Sequence, residues 1–161
     1  MKVTRVSVRD VRFPTARDGD GSDSMNRGDY SAAYVTLETD EGLAGHGLTF
    51  TNGRGNEVCV AAVKALSSHV EGRDLDPFPA GMRALVTDLT TDPQLRWLGP
   101  EKGVLHMATG ALVNAVWDLQ ARRAGKPLWK LLVDLPPEEL VSALDFSYVV
   151  DGGFLAAGVL S

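Results

Sequence analysis

The apolar residues of this chain change their spacing near residue 56, and this change limits the folds open to it. Before that point apolar and polar residues alternate, as in half-buried β-strands, whereas afterwards apolar residues recur every three or four positions, as in amphipathic helices. Strands followed by helices are typical of an α+β domain. We therefore predict a three-stranded antiparallel meander followed by a helical layer.

Three segments of the first half alternate in the manner of strands. They are residues 3–13, 30–39 and 43–50. The polar residues Asp40, Glu41 and Gly42 favour a short turn, so the second and third strands are expected to form a hairpin. The third strand contains Gly45 and Gly47, which weaken a strand unless their missing side chains admit another backbone or a ligand.

Two polar loops are predicted at one edge of this sheet. The first, residues 15–29, contains Met25 as its one large apolar residue. Loops of this length without structure of their own are uncommon in compact domains and are usually disordered or functional. The second is the glycine-rich segment 51–55, which comes directly before the first helix.

The second half of the chain predicts two helices before its longest one. The first is expected to begin near Asn56, a residue type that often caps helix N-termini, and to stop around Gly72. The second start signal is Asp76 followed by Pro77, and the polar residues 90–93 end the helix that follows.

The longest helix is predicted from residue 103 to residue 124 and is apolar almost all round. One line of residues spaced by four interrupts the apolar surface: His106, Gly110, Asn114 and Asp118. A helix covered in this way is expected at the centre of the packing. Residues 128–133 predict a short further helix.

Charge and composition exclude several classes of partner. The 161 residues include 16 Lys and Arg against 21 Asp and Glu, a formal net charge of -5, and the longest basic run is Arg122-Arg123. Nucleic acids and anionic membrane surfaces both require a concentrated positive surface, so neither is an expected partner. No apolar stretch reaches the roughly 18 residues of a membrane span.

Cysteine content and length add two expectations. Cys59 is the only cysteine and cannot form an internal disulfide, and residues 1–5 lack the apolar stretch of a signal peptide, so a cytoplasmic protein is predicted. A (β/α)₈ barrel needs about 250 residues. Chemistry that depends on such a barrel cannot be complete in this chain.

The segment Gly53-Arg54-Gly55-Asn56 is one candidate site, because backbone N–H groups at a helix N-terminus can bind a carboxylate or a phosphate. A flexible turn followed by an ordinary helix cap explains the same residues. The segment lacks the Gly-Lys-Ser/Thr of a phosphate-binding loop and the GxGxxG pattern of a dinucleotide fold.

The histidines and acidic residues favour structural roles. His46, His69 and His106 are too scattered to predict a metal site. Asp118 and Arg122 are one helical turn apart, and an ion pair between them needs no catalysis to explain it.

Cys59 and Trp97 complete the candidates. Cys59 lies on the apolar face of its predicted helix, which favours core packing. Trp97 lies in a loop near Arg96 and Lys102, where it could serve as a recognition surface, although an aromatic ring that closes the end of a helix pair is commoner. No nucleophile–base arrangement and no metal-ligand cluster emerges, so no catalytic or metal-binding residue is predicted.

Five runs of sequence resemble the enolase superfamily in its mandelate racemase and muconate-lactonising branch. The general signature is AVWDLQAR at residues 115–122 with GKPLWKLL at residues 125–132. Three more specific runs are similar to the L-fuconate dehydratase family of sugar-acid dehydratases: VRDVRFPT at 8–15, DYSAAYV at 29–35 and QLRWLGPEKG at 94–103. The resemblance covers about residues 2–148.

The resemblance implies that residues 1–148 form an N-terminal capping domain that closes over substrate. Full-length members carry a barrel that holds Mg²⁺ and the acid–base groups, and this chain is expected to bind no metal. In such enzymes the proton α to a carboxylate is removed, the metal stabilises the enediolate, and a β-hydroxyl leaves as water.

Matching to the family places Gly21, Ser22, Asp23 and Tyr30 where the cap touches a sugar-acid substrate. Short polar groups, backbone N–H groups and a phenol suit the hydroxyls of such a molecule. A solvated loop is the alternative interpretation of these residues.

Residues 149–161 do not match the family and carry no charge after Asp151. We expect an N-terminal fragment of a Mg²⁺-dependent sugar-acid dehydratase that is inactive alone. The alternative is a stand-alone interaction module with the cap fold that binds a barrel partner chain. Homo-oligomerisation is left open.

Overall fold

A three-stranded antiparallel sheet packs against a layer of helices in the computed structural model, which describes residues 1–19, 29–76 and 78–146. The strands are β1 (Val3–Arg12), β2 (Ser31–Thr39) and β3 (Ala44–Thr51), and they lie in the order β1-β2-β3. The predicted α+β meander is therefore confirmed. The predicted tail, residues 149–161, lies outside the described residues.

The helical part of the described ranges comprises six α-helices and two 3₁₀ turns. The helices are α1 (Thr15–Asp18), α2 (Asn56–Leu66), α3 (Gly81–Thr91), α4 (Val104–Arg123), α5 (Leu128–Asp134) and α6 (Pro137–Ser142), and the 3₁₀ turns are Ser67–His69 and Arg96–Leu98. Helices α4 and α5 match their predicted bounds within one residue. Helix α6 was not predicted.

Helix α1 lies within the segment that was predicted as an unbroken polar loop. The backbone N–H of Ala16 donates to the carboxylate of Asp29 at 3.1 Å, and the N–H of Arg17 donates to the Pro14 carbonyl at 3.1 Å. Gly19, with a φ of 71°, ends the helix. These bonds satisfy the first backbone donors of the turn and allow a short helix where composition favours a loop.

The predicted N-cap of α2 is wrong by one residue. Gly55 occupies the cap position with a φ of 98°, a conformation that favours glycine, and Asn56 is already the first helical residue. The Asn56 side chain is fully buried and bonds to residues of β1 and β3 instead. Tertiary partners thus replace the local capping bond that the residue type suggested.

The end predicted for α2 at Gly72 is also too late. The α-helix stops at Leu66, a 3₁₀ turn follows, and the chain then pairs with the start of β1. The N–H of Gly72 donates to the Val3 carbonyl at 2.8 Å, and the N–H of Val3 donates to the Arg73 carbonyl at 3.0 Å. This pairing draws residues 72–74 away from the helix.

Helix α3 begins at Gly81 rather than at the predicted Asp76-Pro77. Asp76 accepts hydrogen bonds from the N-terminal amine at 3.0 Å and from Arg123 at 2.7 Å. The ring of Phe78 contacts Trp117 edge-on, with centroids 5.0 Å apart. Contacts with the N-terminus and with α4 therefore hold this segment outside the helix.

Two glycines let α4 lie directly on the sheet. A Cβ atom at Gly45 would stand 2.2 Å from the Ala115 carbonyl oxygen, and one at Gly47 would stand 2.1 Å from the Ala111 carbonyl oxygen. The missing side chains thus admit another backbone, one of the two explanations predicted for them. Ten residues of α4 are buried, which confirms its predicted central position.

Within the described ranges, no helix combines the length and the apolar character needed to cross a membrane.

Candidate functional site

The candidate site is the edge of the sheet where β1 ends, β2 begins and β3 ends. Tyr30 directly precedes β2 and is partly buried. Its backbone N–H donates to Thr15 Oγ1 at 3.0 Å, and its carbonyl accepts the N–H of Phe13 at 2.8 Å. Its ring contacts Phe50 edge-on with centroids 5.2 Å apart, so the phenol ring is held from both the backbone and the side chain.

The glycine loop, residues 53–55, lies against the segment that leads to Tyr30. A Cβ atom at Gly53 would stand 2.4 Å from the Asp29 carbonyl oxygen, and the φ of Gly53 is 100°. Only glycine fits so close an approach in this conformation. The two loops predicted at one edge of the sheet therefore meet at Asp29 and Gly53. The predicted substrate contacts Gly21, Ser22 and Asp23 lie outside the described residues, so their roles remain predictions.

Beneath the glycine loop is a polar cluster, here called the Arg12 network. It consists of Asp10, Arg12, Ser31, Thr51, Asn56 and Glu57. The Arg12 guanidinium donates through Nη1 to the Gly53 carbonyl at 2.5 Å and through Nη2 to Glu57 at 2.9 Å. It also forms a two-pronged contact with Asp10, whose oxygens lie 2.6 Å from Nε and from Nη2. Such fork-to-fork pairs fix orientation as well as distance.

Buried hydroxyl and amide groups complete the network. Asn56 Nδ2 donates to Asp10 Oδ1 at 2.6 Å, while Asn56 Oδ1 accepts the Thr51 hydroxyl at 2.8 Å. The Ser31 hydroxyl lies 2.7 Å from that of Thr51 and accepts the N–H of Gly53 at 2.9 Å. Asn56 and Ser31 are fully buried, so these bonds satisfy groups that would otherwise be costly to bury.

Electrostatics keeps the network charged at neutral pH. Hydrogen bonds from Arg12 and then from Asn56 lower the pKa of Asp10 below its ordinary value. The backbone N–H of Glu57 itself, and next the Arg12 guanidinium, lower the pKa of Glu57. Bonds to Asp10 and Glu57 raise the pKa of Arg12 in turn. All three groups are therefore ionised across the neutral range, and their hydrogen bonds are charge-assisted.

The predicted anion-binding role of Gly53-Arg54-Gly55-Asn56 has a competitor within the chain. The N–H of Gly55 donates to the Glu57 carboxylate at 3.2 Å, so the start of α2 already faces a negative group of its own. This geometry favours the interpretation of an ordered turn and helix start.

The three histidines each have a structural partner. The N–H of His46 donates to Asp118 at 2.8 Å, and His106 Nδ1 lies 3.2 Å from the Pro100 carbonyl. His69 Nε2 lies 2.8 Å from Asp92 Oδ2, a pair that sequence analysis missed because its members are 23 residues apart. The bonds from His69 and from the Gln94 N–H lower the pKa of Asp92.

Residues 1–19, 29–76 and 78–146 contain no group of three or more His, Cys, Asp or Glu side chains arranged to hold a metal ion. The residues described here therefore do not fit the Mg²⁺ that the resemblance implies for full-length members.

Cys59 and Trp97 have opposite surroundings. Cys59 is 3% exposed, and burial raises the pKa of its thiol, which confirms the predicted core position. Trp97 is 80% exposed, and its indole N–H donates to the Gln94 carbonyl within the same turn at 3.1 Å. Its interpretation as an aromatic ring closing a helix pair is wrong, because a ring packed between helices would be largely buried.

Comparison with known proteins places this architecture in a family. Residues 22–133 match the family described as Mandelate racemase / muconate lactonizing enzyme, N-terminal domain. The chain belongs to this family. As a mandelate racemase / muconate lactonizing enzyme N-terminal domain, it contains the three-stranded sheet and helices described above and, within the described ranges, no barrel.

Three similar proteins illustrate the relationship. The crystal structure of human mitochondrial enolase superfamily member 1 is 56% identical with a TM-score of 0.88, and the match covers 93% of this chain and 35% of that one. L-galactonate dehydratase from Hypocrea jecorina is 51% identical over 150 residues, 92% of this chain and 33% of the relative. A racemase from Streptomyces coelicolor A3(2), solved with bound magnesium, is 25% identical with a TM-score of 0.64, over 81% of this chain and 33% of the racemase.

The chain thus spans about a third of the length of the curated relatives it matches.

Proposed function

We propose that this chain is the capping part of a Mg²⁺-dependent sugar-acid dehydratase of the L-fuconate type, which forms 2-keto-3-deoxy-L-fuconate and water. The observation that carries the proposal is the ordered loop edge at Tyr30 and Gly53, in a chain 51% identical to an L-galactonate dehydratase. The match to that dehydratase extends over 92% of the chain.

The cap binds substrate and transfers no proton. Its proposed contacts are Gly21, Ser22, Asp23 and Tyr30. The Tyr30 phenol is a donor and an acceptor, and its ring is fixed by Phe50 and by the backbone bond to Thr15, so it can orient a sugar hydroxyl at little further entropic cost. Closure of this edge over a substrate also excludes water.

The metal and the acid–base groups belong elsewhere in this proposal. The racemase from Streptomyces coelicolor A3(2) contains bound magnesium, whereas the described part of this chain has no cluster of three or more His, Cys, Asp or Glu side chains that could hold a metal ion. We assign the metal and the proton-transfer groups to the part of the relatives' length that this chain does not match.

A chimeric enzyme tests the proposal. Residues 1–148 replace the matching segment of the Hypocrea jecorina L-galactonate dehydratase, and the formation of 2-keto-3-deoxy acid is measured with L-galactonate and with L-fuconate. We expect Mg²⁺-dependent turnover of at least one of the two acids. A folded chimera that turns over neither acid, beside an active parent enzyme, contradicts the proposal.

Tyr30 provides the residue-level test in the same chimera. Tyr30→Phe removes one hydroxyl and is expected to lower kcat/KM by about tenfold, the value of one hydrogen bond to substrate. Tyr34→Phe is the matched control, since Tyr34 lies four residues further on, within β2, and its ring contacts His46 rather than Phe50. Equal effects of the two substitutions contradict a substrate contact for Tyr30.

The stand-alone interaction module is the second candidate, and the behaviour of an exposed apolar surface on α5 distinguishes it from the capping part of a longer enzyme. Trp129 is 66% exposed and Val133 is 73% exposed, and the two residues are one helical turn apart. Sedimentation equilibrium of the purified chain separates the candidates. Association that a Trp129→Ser substitution reduces supports a cap whose α5 surface packs against another part of the enzyme, whereas a stable monomer favours the module.

A further inference from the structure

We propose that Arg12 is a positioning residue that holds the glycine loop, residues 53–55, against the segment leading to Tyr30. The inference rests on the proposed function for its catalytic meaning, because the loop edge is the proposed substrate-binding surface. Its structural content concerns only contacts within this chain.

Arg12 joins three separate parts of the fold. It is the last residue of β1, and its guanidinium reaches the Gly53 carbonyl in the loop and the Glu57 carboxylate in the first turn of α2. Asp10, two residues earlier on the same face of β1, accepts the fork of the guanidinium and fixes its orientation. The planar, five-donor guanidinium is the side chain suited to such a junction, and a lysine ammonium lacks its fork.

Among the described residues, Ser31 also attaches the loop to the sheet. The Gly53 carbonyl also accepts the Ser31 hydroxyl, at a longer distance of 3.3 Å, and the Gly53 N–H donates to the same hydroxyl. Gly55 is attached through its N–H to Glu57, which Arg12 itself holds. Loss of Arg12 therefore removes the shortest bond to the loop and one of the bonds that hold the Glu57 carboxylate, the group that binds Gly55.

The position of Arg12 separates this role from general stabilisation. Its side chain is 40% exposed, and the partners of its hydrogen bonds given above, Asp10, Gly53 and Glu57, are not residues of the apolar core. Gly53 packs on the carbonyl of Asp29, the residue that precedes Tyr30. If loss of Arg12 displaces the loop, this contact no longer restricts the position of Asp29. The expected effect of losing Arg12 is thus local to residues 53–55 and 29–30.

Amide hydrogen exchange on the 161-residue chain, followed residue by residue by NMR, tests the inference. In Arg12→Met we expect exchange at Gly53, Gly55 and Tyr30 to accelerate about tenfold or more, since charge-assisted bonds are lost. Buried amides of α4 are expected to keep their rates within about twofold, because local openings are independent of the global one. Arg12→Lys is expected to fall between the wild type and Arg12→Met.

The matched control is Arg9→Met, which removes an arginine of the same strand that is paired in register with Tyr34 and belongs to no part of the network. Loop exchange in Arg12→Met that equals this control overturns the inference. Acceleration spread evenly over α4 also overturns it, because Arg12 would then act only on global stability. If Arg12→Met does not fold, Glu57→Gln takes its place, with acceleration expected at Gly55 and an unchanged rate there overturning the inference.

A kinetic measurement links the position of the loop to substrate binding. In the chimeric enzyme, Arg12→Lys is expected to raise KM several-fold while kcat changes less than about twofold, since weakened substrate positioning differs from loss of a reacting group. An unchanged KM contradicts the catalytic meaning of the inference. A chimera with no activity contradicts the proposed function alone, because the exchange experiment needs no substrate.

Discussion

The carboxylate of Asp118 on α4 accepts the backbone N–H of His46 on β3, at 2.8 Å, and the Nε–H of Arg122, at 2.6 Å. β3 is the last strand of the sheet, so an N–H that does not pair with β2 requires another acceptor. The predicted ion pair of Asp118 and Arg122 is confirmed, and the bond to His46 gives it a second role: the helix satisfies a backbone donor at the edge of the sheet.

Asp118→Ala tests this role. The substitution leaves the His46 N–H without its acceptor, and we expect it to lower the free energy of unfolding by about 1–3 kcal/mol. Arg122→Ala removes only the exposed partner and is expected to cost less than about 1 kcal/mol. Urea unfolding followed by circular dichroism measures both. Equal losses would mean that the bond to the strand contributes nothing.

The packing of α4 on β3 predicts opposite effects for two glycine-to-alanine substitutions. Gly47→Ala places a methyl group 2.1 Å from the Ala111 carbonyl and is expected to destabilise the chain by about 3 kcal/mol or more. Gly110→Ala, on α4 itself, meets nothing within 4 Å and is expected to stabilise it by about 0.5–1 kcal/mol through helix propensity. Thermal unfolding of the two variants shows the sign directly, and a neutral Gly47→Ala is incompatible with the backbone contact.

The pair of His69 and Asp92 predicts a loss of stability in acid. Bonds from His69 and the Gln94 N–H depress the pKa of Asp92 in the folded chain. Its contribution is therefore complete above the unfolded value of about 3.9 and disappears as the pH falls through the lower folded value. Denaturant midpoints are measured from about pH 6 to about pH 2, a range that includes the unfolded pKa. As the pH falls, the midpoint is expected to decrease more steeply for the wild type than for Asp92→Asn. Parallel curves for the two proteins contradict the pair.

Cys59 offers a direct measure of opening. Burial raises the pKa of its thiol, so both access and thiolate content are low in the folded chain. We expect labelling by a thiol reagent to be slow in buffer and complete in urea, with Cys59→Ala as the control for background reaction. Rapid labelling of the folded chain would show that α2 does not cover the sulfur.

Sequence patterns predicted the strands and helices whose formation depends on the spacing of apolar residues along the chain. The alternation in β1 to β3 and the apolar surface of α4 identify these elements because burial of each residue follows from its spacing along the chain. Gly45 and Gly47 left a backbone or a ligand as alternatives, and the position of α4 decided for the backbone.

Residues that bond to distant partners were predicted less well. Asn56 is a residue type that often caps helices, yet its side-chain amide forms hydrogen bonds with Asp10 and Thr51 instead. Asp76 signals a helix start, yet the N-terminal amine and Arg123 bind it. In each case the local preference is worth about 1 kcal/mol, and several tertiary bonds outweigh it.

The candidate site shows the same division. The resemblance to a family predicted Tyr30 as a substrate contact, whereas no spacing in the sequence pointed to Arg12, whose partners lie up to 45 residues away. The residue pair Asp10 and Arg12, on one face of a strand, is the signal from which part of the network could have been found.

The direct backbone contact between β3 and α4 also limits the conformational changes that this domain can make when it binds a ligand. At Gly45 and Gly47 the strand rests on the carbonyl groups of the helix without intervening side chains. If the strand slid along the helix, its backbone would clash with the backbone of the helix. We therefore expect β3 and α4 to move together as a rigid unit. Thr51, at the end of that strand, is carried with them, and adjustment to a ligand is left to the loops beyond the sheet.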